Sequence, residues 1–167
     1  MTVVINSGPL IALAKLNLLY LLKLLFNKIY ITKSVYDEVV INGLRKGMTD
    51  AYSIKMFIEK EKNIIEIEKI KGSHKFEKIE LDLGEIETIG LAKVKKATFV
   101  LIDEENARKE ARRNGLKVKG TLGILLMAYQ KKTITLEETI YFIEQIKIRH
   151  DIWISSELCN KILSMLH

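Results

Sequence analysis

Disulfides cannot hold this chain together, because Cys159 is its only cysteine. A lone thiol suits a reducing compartment, so a cytoplasmic location is expected. The three histidines, His74, His150 and His167, are scattered and unpaired with cysteine, which argues against a zinc site. The first 26 residues are apolar, but Asn6, Lys15, Asn17 and Lys23 interrupt them. They carry neither a basic leader nor a small-residue cleavage site, so they are expected to form core, not a membrane span or signal peptide. GxGxxG, P-loop and Ser-His-Asp patterns are missing, which argues against dinucleotide, NTPase and triad-hydrolase readings. No internal repeat, low-complexity tract or linker divides the chain.

What is present suits a globular protein. A hydrophobic fraction of 48% with 29% charged residues is neither disordered nor membrane-like, and 167 residues are enough for a real core. Residues 1–167 are therefore expected to be a single domain. The net charge of +6 leans slightly toward a polyanionic partner. Abundant Lys, Glu and Ile with little Gln is a composition enriched in heat-adapted proteins.

Apolar patterning divides the chain into strands and helices. Thr2 to Asn6 reads as a buried strand that stops at Asn6-Ser7-Gly8-Pro9, where Ser7 can cap a helix and Pro9 suits a first turn. Helices are expected over Leu10–Leu16 and Leu18–Phe26, separated by Asn17. A strand follows at Lys28–Thr32, and a helix opens at Ser34-Val35-Tyr36-Asp37 in capping-box style, carries Glu38 and ends near Gly43 or Gly47. A helix over Asp50–Glu61 and a strand over Asn63–Ile67 precede a charged, loop-like stretch from Glu68 to Lys78.

The central stretch is the most informative. After Gly84, the residues Ile86, Ile89, Gly90, Val94 and Ala97 recur at helical spacing behind Glu85. Thr98 to Ile102 is then an unbroken apolar run, as expected of a parallel strand covered on both faces, and it ends at Asp103. A basic helix, Asn106–Arg113, a short edge strand at Leu116–Val118 and an apolar helix launched by Gly120-Thr121 come next. Two helices over Leu136–Ile146 and Ser155–Leu166 flank an irregular stretch at Trp153.

Alternating strands and helices imply a three-layer α/β/α sandwich around a central parallel sheet. Ligands in such folds sit beyond the carboxyl ends of the strands, near the switch point. Asn6 and Asp103 end strands, Thr121 follows one, and Glu38 and Glu85 lie early in helices that can flank the same edge.

Ile5 to Leu13, Val35-Tyr36-Asp37-Glu38-Val39, Asp82-Leu83-Gly84-Glu85, Leu101-Ile102-Asp103 and Gly120-Thr121-Leu122-Gly123 together resemble PIN-domain proteins, over nearly the whole chain. The resemblance is to a poorly characterised prokaryotic branch related to VapC-type toxins. It implies a metal-dependent ribonuclease fold, often the toxin half of a VapBC-type pair. The family's acids would fall at Asn6, Glu38, Glu85 and Asp103, with Thr121 and Ser7 as accessory polar groups. The departure is Asn6, where the family pattern usually has Asp.

The physical chemistry of these positions is consistent with a cation. Hard divalent ions such as Mg²⁺ or Mn²⁺ take oxygen ligands and acidify a bound water. Carboxylates at ~6 Å and an effective dielectric of ~20 repel by about 3 kcal/mol per pair. Three mutual pairs among Glu38, Glu85 and Asp103 would cost about 8 kcal/mol, comparable with the stability of a domain. Asn6 offers only a neutral oxygen, so a single metal is expected.

Simpler readings exist for each residue taken alone. The helix dipole suffices to explain Glu85, Asp103 and Thr121 can be caps, Glu38 a solvated helix residue, and Asn6-Ser7 a turn. Arg108, Lys109, Arg112, Arg113, Lys117 and Lys119 are either a solvated face or a rim that tracks RNA phosphates. Any apolar excess on Leu10–Phe26 would be a patch for a homodimer or an antitoxin. Two functions follow. One is a Mg²⁺/Mn²⁺-dependent endoribonuclease acting on single-stranded RNA. The other is a PIN-like module that has lost hydrolysis at Asn6 and works by binding RNA or protein.

Overall fold

Five short strands, every one bonded to a parallel neighbour, form the centre of the computed structural model, which describes residues 1–71 and 80–166. They are β1 (Thr2–Ile5), β2 (Lys28–Thr32), β3 (Ile65–Glu68), β4 (Phe99–Leu101) and β5 (Val118–Lys119). Their order across the sheet is β3-β2-β1-β4-β5, so the chain leaves β1 in one direction and later resumes on its other side at β4. That reversal opens a crevice beyond the carboxyl ends of β1 and β4.

The central strands β1 and β4 are apolar on both faces because both are covered. Val3, Ile5 and Leu101 face one cluster, with α1 (Ser7–Lys15), α2 (Tyr20–Leu25), α5 (Thr49–Lys60), α8 (Thr121–Gln130), α9 (Leu136–Ile148) and α10 (Ser156–Met165). Val4, Val100 and Ile102 face the other, with α6 (Leu83–Val94) and α7 (Glu105–Arg113). This alternation with a period of two turns a continuous apolar run into two cores. The three-layer sandwich expected from the sequence is the fold.

Several boundaries differ from the expected ones, for local reasons. The first helix starts at Ser7, not Leu10, because Asn6 is extended (φ −87°, ψ 173°) and serves as its cap residue. The next break is as expected: Asn17 adopts the left-handed conformation at φ 58°. The helical run after β2 is capped by Thr32, whose Oγ1 accepts from the Val35 N–H at 3.2 Å, not by Ser34. It comprises α3 (Lys33–Tyr36), a π-helical stretch over Asp37–Asn42 and α4 (Gly43–Arg45), and a left-handed Gly47 (φ 70°) follows it. The last strand sits at Val118–Lys119, later than the expected Leu116–Val118, because Gly115 (φ 75°) and Leu116 still close the end of α7. Gly72, Ser73, His74 and His167 fall outside the described residues.

Gly43 is required by packing. A Cβ there would lie 2.6 Å from the Ala51 Cβ of α5, far inside contact distance, so α4 and α5 meet through a missing side chain. Gly43→Ala should destabilise the protein by about 1–3 kcal/mol through overpacking. In urea unfolding, Gly43→Ala/Ala51→Gly should lose less than the sum of the two single changes. Strict additivity would show that the two helices do not depend on this contact.

Candidate active site

Register brings the site together before any side chain contributes. Ile5 pairs with Leu101, and Leu101 with Lys119, so the residues just beyond them, Asn6, Ile102-Asp103 and Gly120-Thr121, emerge side by side. Asn6 N–H donates to the Leu101 carbonyl at 2.9 Å, and Ile102 N–H to the Lys119 carbonyl at 2.8 Å, which fixes the two connections.

Asp103 is not the cap of the helix that follows it. Glu104 takes that role, accepting from the Ala107 N–H at 2.8 Å. Both Asp103 oxygens instead serve α8: Oδ1 accepts from the Thr121 N–H at 2.7 Å and Oδ2 from the Thr121 hydroxyl at 2.6 Å. Arg108 folds back beside it, its Nη1 donating to the Ile102 carbonyl at 2.8 Å. Gly120 permits this crowding, since a Cβ there would lie 2.6 Å from Asp103 Oδ1 and 2.8 Å from Arg108 Nη1. Burial pushes the Asp103 pKa up, while the Thr121 hydrogen bonds and the Arg108 charge pull it down.

Across the crevice, Glu85 is buried at the start of α6. It belongs to a capping box with Asp82: its N–H donates to Asp82 Oδ1 at 2.8 Å, and its Oε2 accepts from the Asp82 N–H at 3.0 Å. Its pKa rises to about 7, chiefly through desolvation, helped by the negative charges of Asp82, Glu104 and Glu38. Glu38, exposed on the π-helical stretch, also has a raised pKa. Desolvation is the first cause, the Ser7 hydroxyl opposes the rise, and Asp82 adds to it. Asn6 is buried between the two sides, its Oδ1 accepting from the Thr88 hydroxyl of α6 at 3.3 Å.

The structure therefore brings Asn6, Ser7, Glu38, Glu85, Asp103 and Thr121 to one sheet edge. Glu38 and Asp103 line one cavity of about 300 Å³. Glu85 joins through its charge coupling to Glu38. Among the described residues, no three His, Cys, Asp or Glu side chains gather tightly enough to close around one ion. The acids divide into a Glu38–Asp82–Glu85 side and an Asp103–Thr121–Arg108 side.

The basic residues also divide. Arg108 and Lys119 line a second cavity of about 490 Å³ beside Asp103. Arg113 instead pairs with Glu110 at 3.6 Å at the far end of α7, and Lys109 lies 3.9 Å from Glu105. Arg112 is exposed on α7, and its charge is felt at Arg108.

Sequence reasoning missed Asp82, Glu104 and Thr88. The first had a signal, since Asp82-x-x-Glu85 is a capping-box spacing. Thr88 lies three residues after Glu85 and hence on the same helical face. Glu104 had no signal separating it from Glu105.

An all-parallel sheet whose switch-point edge carries acids from several elements defines a PIN-type, nuclease-like α/β module. The chain belongs to the PIN-domain family: the family model DUF3368, a PIN domain, matches residues 2–167. Members of this family are generally nucleases and usually use divalent metal ions. Among solved structures the chain is similar to a PilT N-terminus domain protein, SSO1118, from the hyperthermophilic archaeon Sulfolobus solfataricus P2. The TM-score is 0.52 at 18% identity, over 75% of this chain and 92% of that one. It is also similar to a domain of a functionally unknown protein from Methanocaldococcus jannaschii DSM 2661, with TM-score 0.50 and 17% identity, over 71% and 89%. These likenesses support the fold. No curated protein matches the chain. No helix among the described residues is long and apolar enough to cross a membrane.

The raised Glu85 pKa has a thermodynamic consequence. An acid whose folded pKa (about 7) exceeds its ordinary 4.5 favours the folded state below pH 4.5, and that contribution is lost as pH rises to 7. Glu85→Gln, which keeps an acceptor for the Asp82 N–H, should therefore stabilise the metal-free protein at pH 8. The expected gain is at most about 3 kcal/mol, with little difference at pH 4. Thermal unfolding in EDTA at both values measures it; equal effects at pH 4 and 8 would contradict the raised pKa of Glu85.

Proposed function

We propose that this chain is an endoribonuclease dependent on Mg²⁺ or Mn²⁺ that cleaves single-stranded RNA as the toxin half of a toxin–antitoxin pair. The observation that carries the reading is the sharing of one sheet edge by Asn6, Glu38, Glu85 and Asp103, with Glu85 raised to a pKa of about 7 chiefly by burial and further by the charges of Asp82, Glu104 and Glu38. The donors are oxygens and mostly acidic, the chemistry that a hard divalent cation takes. Glu38 and Glu85 from one side of the crevice and Asp103 from the other would share the ion, with water making up the ligands that the open cluster leaves unfilled, and Asn6 would offer a neutral Oδ1. Such an ion, when bound, supplies an acidified water and neutralises charge on a phosphodiester.

The chain's own residues supply the rest. Thr121 fixes both oxygens of Asp103 and so its direction. Ser7 orients Glu38. Thr88 orients the Asn6 amide. Arg108 and Lys119, beside Asp103, are placed to meet phosphates, with Arg112 and Arg113 farther along α7. The toxin role follows the family resemblance, and Tyr20 and Leu24, exposed on α2, offer an apolar surface for a homodimer or an antitoxin.

A second reading, a PIN fold that has lost hydrolysis and binds RNA or protein, is favoured by Asn6 and by the absence of a closed three-acid cluster among the described residues. Incubation with labelled RNA and Mn²⁺ separates the two. Asp103→Asn should lower cleavage by ~100-fold or more, and Thr121→Val, which removes one donor to Asp103, by ~10-fold or more. No cleavage with any divalent metal would select the second reading. Calorimetry should register one Mn²⁺ site, and Asn6→Asp should tighten it; two tight sites in the unaltered protein would contradict the role assigned to Asn6.

A further inference from the structure

The only tryptophan of the chain, Trp153, is 93% exposed. Tryptophan is usually well buried, and a large aromatic left in water is a feature that asks for a partner. The backbone carrying it is pinned on both sides. Ile152 is buried in the main core. Asp151 accepts from Arg149 Nε and Nη2, each at 2.8 Å, and its carbonyl accepts from Lys15 Nζ at 2.8 Å. On the other side, Ser155 caps α10 through the Leu158 N–H at 3.2 Å. The ring thus projects from an anchored segment.

Its position matters more than its exposure. The cavity holding Glu38 and the cavity holding Arg108 and Lys119 share two lining residues, Asp103 and Trp153. The indole stands where a chain passing from the basic cavity to the acidic one would cross. Phosphates suit Arg108, Lys119 and Lys46, and an unstacked base suits an open indole face.

We propose that Trp153 is a stacking platform for one nucleobase of single-stranded RNA, placing the neighbouring phosphate at Asp103. The inference rests on the nuclease reading and adds a substrate-positioning residue to it. Every base has a π-face, so the platform tolerates sequence, whereas a duplex, with its bases stacked inside, cannot use it.

Because Trp153 is the sole tryptophan, intrinsic fluorescence reports on this position alone. The full chain would be titrated with a single-stranded RNA decamer and with the same sequence as a duplex, in EDTA and again with Mg²⁺. Anisotropy of labelled RNA would be followed in parallel. The single strand should quench and shift the emission over the concentration range of the anisotropy change, and the duplex should not. Trp153→Ala should weaken single-strand binding by about 5- to 100-fold, Trp153→Phe should restore most of it, and neither should change Tm.

Unchanged RNA affinity in Trp153→Ala, with no quenching in the parent, overturns the platform while leaving the nuclease reading intact. Self-association removed by Trp153→Ala at unchanged RNA affinity overturns it in favour of a contact between two copies of the chain. No RNA binding in either buffer overturns both.

Discussion

Burial of acids that also repel one another, at one edge of the sheet, is the constraint around which this site is built. Asp82 raises the proton affinity of Glu38, Asp82, Glu104 and Glu38 raise that of Glu85, and Asp103 lies across the crevice. Acids in such proximity do not persist without compensation. The fold provides part of it through backbone geometry: α1, α6, α7 and α8 all begin at this edge. Their unpaired N–H groups and positive dipole ends face the carboxylates. Asp103 is held by the first N–H of α8, Glu104 by that of Ala107, and Asp82 by that of Glu85. Helix starts are what allow this edge to be acidic.

The compensation is incomplete, and the residue that records it is Glu85. Its capping bond lowers its pKa, yet desolvation and neighbouring acids win, and the group titrates near neutrality. A divalent cation would relieve that mismatch. The two sides of the crevice differ in kind. Asp103 is locked by Thr121 and accompanied by Arg108, whereas Glu38 rides on a π-helical stretch, a backbone form that occurs often at functional positions. One side is tied down by hydrogen bonds, and the other is built from a π-helical stretch.

Much of this was legible in order along the chain. Unbroken apolar runs at Thr2–Ile5 and Thr98–Ile102 announced strands buried on both faces, and the polar residue ending each, Asn6 and Asp103, had nowhere to go but the sheet edge. Asn17 and Gly47 marked turns, whereas Gly8, read as part of a turn, lies inside α1. Partnerships were less visible. Nothing near Asp103 in sequence says that its oxygens serve Thr121, eighteen residues on, instead of capping α7. That follows only once β4 and β5 lie in register. Gly120 reads as a helix start, but its necessity comes from Asp103 and Arg108 meeting over it.

The amino-acid sequence by itself determined the alternation of strand and helix, the covering of the sheet on both faces, and the polar residues at strand ends. These depend on periodicity and local stereochemistry, which neighbours in the chain settle among themselves. Tertiary structure alone decided which acids feel one another, that Arg108 turns back while Arg113 turns away, and that a solitary indole stands between two cavities. Those outcomes depend on distances through space between residues far apart in the chain, and the sheet order sets those distances.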